Sequence, residues 1–401
     1  MASLTSHAGF LRDKASGAAS RVAPVELFFD LVFVFAVTQL SHALLAKMTP
    51  QGVFETTILF LAVWWTWICT SWVTNWLDPD RWPVRMFLFA VMLGGLVLSA
   101  SIPDAFGKAS LAFALAHAII LVGRPLFMIC ALGAASPGNR RNFQRILAWA
   151  CISSVCWVAG ALAEGNARLV LWSLALLLDY GPAWIGFRFP GLGASTTADW
   201  DIDGHHLSER CALFVIIALG ESLLMTGATA QKLPVSAGTV TAFVSAFLST
   251  VSMWWLYFAI GAERATHHIA HSADPGRLAR AGYTYWHIVI VAGIIVAAVA
   301  DELVLAHPAG HVATSYLLAI VGAPALFLLG NGAFKWLSAP NFPLSHLVGL
   351  ALLAAIAAAE YLMHLFSPLG LSIATTGVLI IAAMWEWRSL GGGAAMPAAS
   401  H

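Results

Sequence analysis

The chain has 401 residues, of which 60% are hydrophobic and only 10% are charged. Soluble domains usually carry about a quarter charged residues, so this composition excludes an ordinary water-soluble enzyme or binding domain. The 20 basic and 20 acidic residues give a formal net charge of zero, whereas a nucleic-acid partner calls for a basic surface. We therefore expect the lipid bilayer as the main partner, and no nucleic acid.

Hydrophobic runs of about 20 residues, the length that crosses a bilayer as a helix, recur along the whole sequence. They predict an all-α integral membrane protein with about twelve transmembrane helices. The first six spans are predicted at residues 25–46, 53–75, 84–102, 107–132, 145–164 and 167–187. The second six are predicted at residues 207–229, 236–260, 281–303, 312–334, 344–364 and 367–386. The shortest separations are those near residues 164–167 and 364–367.

The spacing of the spans divides the sequence into five segments. Two six-helix membrane halves, residues 25–187 and 207–386, are joined by a polar linker at residues 188–206. A polar segment, residues 1–24, precedes the first half, and a tail at residues 387–401 follows the second. We expect the linker and both terminal segments to lie in the cytoplasm, because of the distribution of lysine and arginine residues.

Lysine and arginine residues are distributed unevenly between the two sides of the predicted bundle. With the N-terminus inside, fourteen of them fall on the inner side and four on the outer side. An excess of basic residues in cytoplasmic loops is the usual signal of orientation. We therefore predict that both termini are cytoplasmic. Arg124 and Arg210 remain inside predicted spans.

A faint internal repeat relates the two halves. Glu26 opens the first span as Glu209 opens the seventh, and Asp179 in the sixth span corresponds to Glu386 in the twelfth. The offset between matched residues grows from 183 to 207, as insertions in the loops of the second half would require. Because each half has six spans, both enter the membrane in the same sense, which predicts two parallel six-helix repeats.

The first span carries two carboxylates one helical turn apart, Glu26 and Asp30. Residues at i and i+4 share a helix face, where like charges repel, and a charge inside the bilayer is costly. The helix macrodipole explains Glu26, which lies close to the N-terminus of the span. Asp30 lies a turn further inside among phenylalanines, and it is equally consistent with a functional acid and with a structural ion pair.

The seventh span contains Glu209 near its start and Glu221 near the middle of the bilayer. We expect Gly220 to allow close helix approach and Ser222 to supply a hydrogen bond. No basic residue lies near Glu221 in its own helix, so we predict a partner from another span, with Arg124 as the best candidate. Such a pair would either couple ion movement to transport or only fix helix packing.

Six tryptophans run along the second span and just past it. Helix packing and anchoring at the membrane interface explain most tryptophans of this kind. The alternative is an aromatic wall of a substrate cavity, because three of the six share one helix face. These three are Trp65, Trp72 and Trp76.

Two polar loops contain spacings that could gather a divalent metal ion, at residues 201–209 and at residues 267–271. Histidine-rich loops are usually solvated, and neither loop closes a four-ligand pattern. We find no nucleophile motif and no phosphate-binding glycine loop. We therefore predict no metal site, no cofactor and no enzymatic activity.

The two acidic spans contain distinctive stretches, VELFFDLVFVFAVTQLS at residues 25–41 and HLSERCALFVIIALGES at residues 206–222. Both resemble the most recognisable segments of the bacterial low temperature requirement protein A family. The resemblance extends over nearly the whole chain, since the span count and the separation of the two stretches also fit. It implies a multi-span protein of the bacterial cytoplasmic membrane that is needed for growth in the cold, and it implies no particular substrate.

Two functional hypotheses are consistent with these residues. The first is a secondary transporter or exchanger of a small solute, coupled to protons or other ions, because ionisable groups inside the bilayer usually mark ion or substrate paths. The alternative is a non-transporting membrane sensor or scaffold that supports growth in the cold, whose acids are packing pairs. The residues assigned to the ion-coupling or substrate pathway are Glu26, Asp30, Arg124, Asp179, Glu209, Glu221 and Ser222.

Overall fold

A computed structural model of the chain describes residues 7–12, 22–133, 136–196, 203–258, 275–339 and 341–389. Twelve long helices account for most of these residues. The first six are α1 (Pro24–Ala46), α2 (Pro50–Thr74), α3 (Trp82–Ser101), α4 (Ser110–Leu132), α5 (Pro137–Leu162) and α6 (Gly165–Tyr180). The second six are α7 (Gly204–Ala230), α8 (Ala237–Phe258), α9 (His287–Ala306), α10 (Thr314–Trp336), α11 (Leu344–Met363) and α12 (Pro368–Ser389). A short helix (Pro275–Ala279) and a π-helical segment (Arg280–Trp286) lead directly into α9.

Eleven helical segments within the described ranges are long and apolar enough to cross a membrane. The remaining long helix, α6, has 16 residues and continues into a 3-10 helix at Gly181–Ile185. At 1.5 Å per residue, α6 alone reaches about 24 Å, somewhat less than the thickness of about 30 Å of the hydrocarbon core. The predicted all-α architecture with many membrane-spanning helices is confirmed, with eleven or twelve spans.

Polar and apolar side chains are distributed as expected for a protein whose solvent is lipid. Charged groups such as Glu26, Asp30 and Arg210 are completely buried inside the protein. Large aliphatic side chains instead project from the outer surfaces with about two-thirds or more of their area exposed, as at Leu93, Ile119, Val155, Leu177, Leu224, Leu318 and Leu362. In lipid, exposed aliphatic groups are favourable and polar groups need partners inside the protein.

The helix α5 begins earlier than the predicted span at residues 145–164. Pro137 occupies its first position, where the missing N–H of proline costs nothing. Arg140 and Arg141, which precede the predicted span, lie within the helix, together with Arg145, the first residue of that span. Arg145 is buried, and its guanidinium donates to the carbonyl of Leu192 at 2.6 and 2.8 Å. A prediction from hydropathy leaves the arginine-containing turns out of the span, although the helix includes them.

Both of the shortest predicted separations are breaks between helices in the structure. Ala163 and Glu164 have extended backbone and separate α5 from α6, and His364 ends α11 with a φ of 49°. An extended residue, or one in the left-handed region such as His364, stops the helical hydrogen-bond pattern and redirects the chain. The helices on either side of each break are therefore separate elements, as the sequence predicts.

The chain forms two compact units. Unit 1 comprises residues 1–217 and 269–284, and unit 2 comprises residues 218–268 and 285–401. The boundary falls within α7, which contributes its first part to unit 1 and its second part to unit 2. The proposed halves at residues 25–187 and 207–386, and their relation as parallel repeats, stay predictions.

In unit 1, α4 packs along α3 and α5, α5 packs along α6, and α1 contacts both α2 and α3. The N-terminal segment is joined to the C-terminal end of α2, because the N–H of Arg12 donates to the carbonyl of Trp76 at 2.8 Å. The same end of α2 meets the start of α7, where the side chain of Asn75 donates to the carbonyl of Asp203 at 2.7 Å. The beginnings of α1 and α7 therefore lie at the same end of unit 1.

In unit 2, α9 and α10 pack closely along each other, and α8 packs on α12. Two glycines permit the close approach of α9 and α10. A Cβ atom at Gly293 would come within 2.7 Å of the amide nitrogen of Phe327, and one at Gly330 within 2.7 Å of the amide nitrogen of Ile290. Because these contacts involve backbone atoms, larger side chains at either position would force the helices apart.

Candidate functional site

The acidic pair of α1 faces the first turns of α7 within unit 1. Glu26 and Asp30, four residues apart, are both fully buried. Glu26 contacts His206, and Asp30 contacts Arg210, which lies four residues after His206. This matched spacing means that α1 and the first part of α7 run side by side in the same direction. Both carboxylates therefore face protein, as expected from the cost of a charge in lipid.

Arg210 bridges the two carboxylates. Its Nη1 lies 3.0 Å from Glu26 Oε1 and its Nη2 lies 2.5 Å from Asp30 Oδ1. Nη1 also donates to Thr74 Oγ1 at 3.2 Å, and the guanidinium lies 5.6 Å from the ring centre of Phe29. A planar guanidinium can bond several acceptors at once, so a single arginine offsets the repulsion between the two acids.

Glu26 has further partners from three parts of unit 1. Its Oε2 accepts from Arg12 Nη2 at 3.0 Å and from the backbone N–H of Ala23 at 2.8 Å. Its Oε1 lies 3.0 Å from His206 Nε2. Arg12 also donates through Nε to the carbonyl of Thr74, at the end of α2. Glu26 thus joins the N-terminal segment, α1 and α7, and both of its oxygens are occupied.

The hydrogen bonds around His206 assign its tautomer. The amide oxygen of Asn75 accepts from the N–H of Asp203 at 2.9 Å, so the amide nitrogen of Asn75 is the group that faces His206 Nδ1, at 3.4 Å. This contact favours Nδ1 as the acceptor and a hydrogen on Nε2, which lies 3.0 Å from Glu26 Oε1 and 3.1 Å from Arg12 Nη2. In this arrangement the imidazole is neutral.

With His206 neutral, the charges of this network balance. Glu26 and Asp30 supply two negative charges, and Arg12 and Arg210 supply two positive charges. A buried ion pair tolerates removal from water only when its charges are compensated and its hydrogen bonds are made. We refer to these five residues as the charge network.

Asp30 and Arg210 are members of the charge network with free bonding capacity. The Oδ1 of Asp30 accepts from Trp67 Nε1 at 2.7 Å as well as from Arg210. The Oδ2 of Asp30 and the Nε of Arg210 are buried without a hydrogen-bond partner among the described residues. An unpaired oxygen beside an arginine is the place where a proton or another cation would change the strength of the pair.

A second polar group surrounds Asp179 in α6. Its carboxylate accepts from Ser153 Oγ at 2.5 Å and from Trp157 Nε1 at 3.0 Å. His117 Nε2 lies 3.7 Å from Asp179 Oδ2, and His117 Nδ1 lies 2.8 Å from Thr66 Oγ1. Asp179, His117 and Thr66 therefore form a buried polar chain across α6, α4 and α2, in which the 3.7 Å separation between His117 Nε2 and Asp179 Oδ2 is longer than a hydrogen bond.

The helix α2 connects this polar chain to the charge network. Thr66 and Trp67 are adjacent, and Trp67 bonds Asp30. Arg124 of α4 also contacts α2, through Nη1 to the carbonyl of Thr66 at 3.3 Å and to Thr70 Oγ1 at 3.4 Å. Four of the predicted site residues, including Glu26, thus belong to two adjoining buried groups of unit 1.

The other predicted site residues lie elsewhere on α7. Glu209 is half-buried, and its Oε2 accepts from the backbone N–H of Val22 at 3.2 Å. Glu221 is half-buried in unit 2. Its predicted pairing with Arg124 stays a prediction.

Two expectations about the neighbours of Glu221 are wrong for the described part of the chain. A Cβ atom at Gly220 would meet no atom within 4 Å, so no close helix approach requires this glycine. The hydroxyl of Ser222 is buried and has no hydrogen-bond partner among the described residues. A small residue in a span does not by itself identify the helix face that is packed.

The first loop with metal-ligand spacing uses its side chains in other ways. Asp203 Oδ1 accepts from the backbone N–H groups of His205 and His206, at 3.0 and 3.2 Å, and so stabilises the start of α7. His206 is engaged with Glu26. Residues 201–202, and the whole second loop at residues 267–271, lie outside the described residues.

The tryptophans of α2 make the contacts expected of helix packing. Trp64 Nε1 donates to the carbonyl of Thr284 at 2.8 Å, and Trp72 Nε1 donates to Thr284 Oγ1 at 3.0 Å. Trp65 packs on Tyr180 with ring centres 4.3 Å apart. These contacts hold α2 within unit 1 and favour the packing explanation over an aromatic cavity wall.

Sequence reasoning did not identify four members of this site. Arg210 stood out only as a basic residue inside a span, Arg12 only as an inner-side charge, and His206 only as part of a histidine-containing loop. Trp67 was one of six tryptophans. One signal could have linked α1 to α7: His206 and Arg210 repeat the four-residue spacing of the acids in α1.

Comparisons with known proteins show the family of the chain. The family model described as bacterial low temperature requirement A protein (LtrA) matches residues 21–384. The chain is also 40% identical over 365 residues to the protein called "Uncharacterized protein RA0937" of Rhizobium meliloti (strain 1021), which covers 91% of this chain and 88% of the relative. The residues matched by the family model include the whole of α1 and α7, which carry most of the charge network. The chain belongs to the bacterial low temperature requirement A family.

Proposed function

We propose that the protein is a secondary transporter of a small solute in the bacterial cytoplasmic membrane, coupled to protons or other cations, with both termini in the cytoplasm. The observation that carries this proposal is the environment of Asp30. This carboxylate lies about 9 Å, six residues, inside α1. One of its oxygens is bound by Arg210 and Trp67, while the other has no partner among the described residues.

The ion pair between Asp30 and Arg210 could form and break during transport. A proton or cation at Asp30 Oδ2 would weaken the attraction for Arg210, which could then be held by Glu26 alone. Because the pair joins α1 to α7, its strength biases how these helices pack. A transporter needs such an element, in which ion binding shifts the balance between two conformations.

The surrounding residues then have distinct roles. Glu26, with both oxygens occupied, anchors the start of α1 and keeps Arg210 in place when Asp30 is neutralised. The chain of Thr66, His117 and Asp179 supplies donors and acceptors beside Trp67, as a proton path requires. Arg124, Glu209, Glu221 and Ser222 are retained as pathway candidates.

Ion flux in proteoliposomes tests the proposal. Vesicles containing the purified protein would carry trapped pH- and sodium-sensitive dyes while amino acids, sugars, nucleosides and polyamines are added outside. We expect one solute class to produce ion movement in wild type, with at least a tenfold lower rate in Asp30→Asn.

The matched control is Asp80→Asn, because the carboxylate of Asp80 is paired with Arg85 on the exposed surface. This variant should transport at the wild-type rate. Absence of solute-dependent ion movement across all four solute classes, from protein with native tryptophan fluorescence, would contradict the proposal. Full transport by Asp30→Asn would remove Asp30 from the coupling path.

A non-transporting sensor or scaffold is the second candidate function, and the saturated bonding of Glu26 favours it. A carboxylate whose two oxygens accept from Arg12, Arg210, His206 and a backbone N–H behaves as a structural anchor. In that case the charge network would only fix the fold. Vesicles would then show no ion movement, while the variants of the network would still lose stability.

A further inference from the structure

Unit 2 contains a small cavity of about 20 Å³ between α8, α9, α10 and α12. A cavity of this size holds one or two water-sized species. Its lining includes one carboxylate, that of Asp301, and four hydroxyl groups. The hydroxyls belong to Ser249, Ser372, Thr375 and Thr376.

Asp301 lies inside the apolar helix α9 and is more than nine-tenths buried. Among the described residues, no hydrogen bond or ion pair reaches its carboxylate. An unpaired charge that is taken out of water in this way is very costly. The carboxylate therefore requires a positive charge that is delivered from solution.

A backbone carbonyl without its helical hydrogen bond belongs to one of the residues that line the cavity. Pro324 interrupts α10, and its ring nitrogen cannot donate the hydrogen bond that the carbonyl of Ile320 would receive in a regular helix. Both Pro324 and Ile320 line the cavity. Carbonyls freed in interrupted membrane helices are common ligands for small cations.

Three of the four hydroxyl residues, Ser372, Thr375 and Thr376, take part in hydrogen bonds within unit 2. Ser245 Oγ lies 3.0 Å from Ser372 Oγ and 3.3 Å from Thr376 Oγ1. Thr375 Oγ1 donates to the carbonyl of Ser372 at 3.1 Å. A hydroxyl that donates its hydrogen still has lone pairs to offer, so these groups can face a cation as acceptors.

We propose that this cavity binds one sodium ion, with Asp301 as the charged ligand. All the polar groups of the lining are oxygens, which hard cations prefer. One carboxylate balances a single positive charge, which favours a monovalent ion over calcium or magnesium. A proton would need only one oxygen, whereas a carboxylate residue, four hydroxyl residues and the Pro324 interruption of α10 line this one cavity, and the small volume favours sodium over potassium.

Sodium binding at Asp301 deepens the proposed function, because it names the ion that would drive solute movement. Only this coupling role rests on the transport proposal. Binding itself is measurable without transport. If the protein binds sodium but moves no solute, the sodium site is supported and the transport proposal is contradicted. If it transports solute but binds no sodium, the transport proposal is supported and the sodium site is contradicted.

The test is the thermal stability of the purified full-length protein in detergent at fixed pH. Sodium, potassium and choline chlorides would be compared at equal ionic strength. A ligand that binds only the folded state raises the melting temperature, by roughly 3–8 °C when it is well above its dissociation constant. We expect this rise with sodium and not with potassium or choline.

Three variants make the test specific to the cavity. Asp301→Asn should abolish the sodium-dependent rise, and Ser249→Ala should increase the sodium concentration for half the effect by about fivefold. Ser249→Ala keeps the test decisive if Asp301→Asn does not fold. The matched control is Glu302→Gln, an adjacent carboxyl that does not line the cavity, and it should respond like wild type. No sodium-specific rise in wild type, or an equal rise in Asp301→Asn, would overturn the proposal.

Discussion

Asp30 in unit 1 and Asp301 in unit 2 are both buried carboxylates inside apolar helices, but their surroundings differ. Asp30 has the guanidinium of Arg210 at 2.5 Å and the indole N–H of Trp67 at 2.7 Å. Asp301 lines a cavity of hydroxyl groups and has no charged partner among the described residues. The protein itself therefore neutralises the first carboxylate, whereas the second depends on an ion from solution.

This difference separates two uses of a buried acid. A carboxylate with a fixed cation holds helices together, and it acts in coupling only when its pair is broken. A carboxylate in a cavity of oxygens is ready to exchange its counter-ion. Removing Arg210 from unit 1 should therefore lower the free energy of unfolding, whereas neutralising Asp301 in unit 2 should leave it unchanged or raise it.

The largest effect is expected from Arg210→Ala. This change leaves both Glu26 and Asp30 buried beside Arg12 as the one remaining cation of the charge network, which should cost at least about 3–5 kcal/mol in the free energy of unfolding. Unfolding by a denaturing detergent would measure it. The control is Arg85→Ala, whose ion pair is exposed and contributes about 0–1 kcal/mol. Equal losses in both variants would show that the charge network does not stabilise unit 1.

Unit 2 has a fixed ion pair of its own, and it provides an internal comparison for Asp301. Lys335 Nζ lies 2.7 Å from Glu386 Oε2 and donates to the carbonyl of Leu256. We expect Lys335→Met to lower the free energy of unfolding by about 3 kcal/mol, because Glu386 is left buried and uncompensated. The double variant Lys335→Met/Glu386→Leu should recover most of that loss. The charge explanation would be contradicted if the double variant lost as much free energy of unfolding as Lys335→Met and Glu386→Leu lose together.

The contact of α9 with α10 supports the cavity and should tolerate little change. A Cβ atom at Gly293 would approach the backbone of Phe327, so Gly293→Ala should cost about 1–3 kcal/mol through overpacking. Gly322→Ala on α10 is the matched control, since a Cβ atom there would meet no atom within 4 Å. The control should be neutral or slightly stabilising, because alanine favours helix over glycine. Thermal unfolding of the two variants in parallel distinguishes these outcomes.

The smallest effect on stability is expected from Asp301→Asn in the absence of sodium. Neutralising an unpaired buried carboxylate removes a desolvation cost, so the free energy of unfolding should stay the same or rise by about 1 kcal/mol. A loss similar to that of Arg210→Ala would mean that a partner within the protein pairs with Asp301. Detergent-induced unfolding in choline chloride would measure the difference.

Much of the fold follows from hydropathy, because a helix in lipid must be apolar over the width of the bilayer. The positions of Glu26 and Asp30 also identified α1 as unusual, since two acids in a span are costly. The partner of these acids was not predictable, because Arg210 follows Asp30 by 180 residues and meets it only through the register of α1 against α7. The four-residue spacing of His206 and Arg210 matches that of Glu26 and Asp30, but this match by itself does not fix the register.

Asp301 was missed for a related reason. In the sequence it precedes Glu302 near the end of a predicted span, where two adjacent acids suggest a helix end at the membrane surface. Only the packing of α8, α9, α10 and α12 brings hydroxyl groups and the interrupted backbone at Pro324 around it. Those residues are far apart in the chain, and each is unremarkable alone.

The most direct test of the contrast between the two carboxylates is equilibrium binding of radioactive sodium to the purified protein. Wild type, Asp301→Asn and Glu302→Gln would be measured side by side over a range of sodium concentrations. We predict saturable binding of one sodium ion per chain in wild type and Glu302→Gln, and no saturable binding in Asp301→Asn. Equal binding in all three proteins, or none in wild type, would contradict the assignment of Asp301 as the carboxylate that takes its counter-ion from solution.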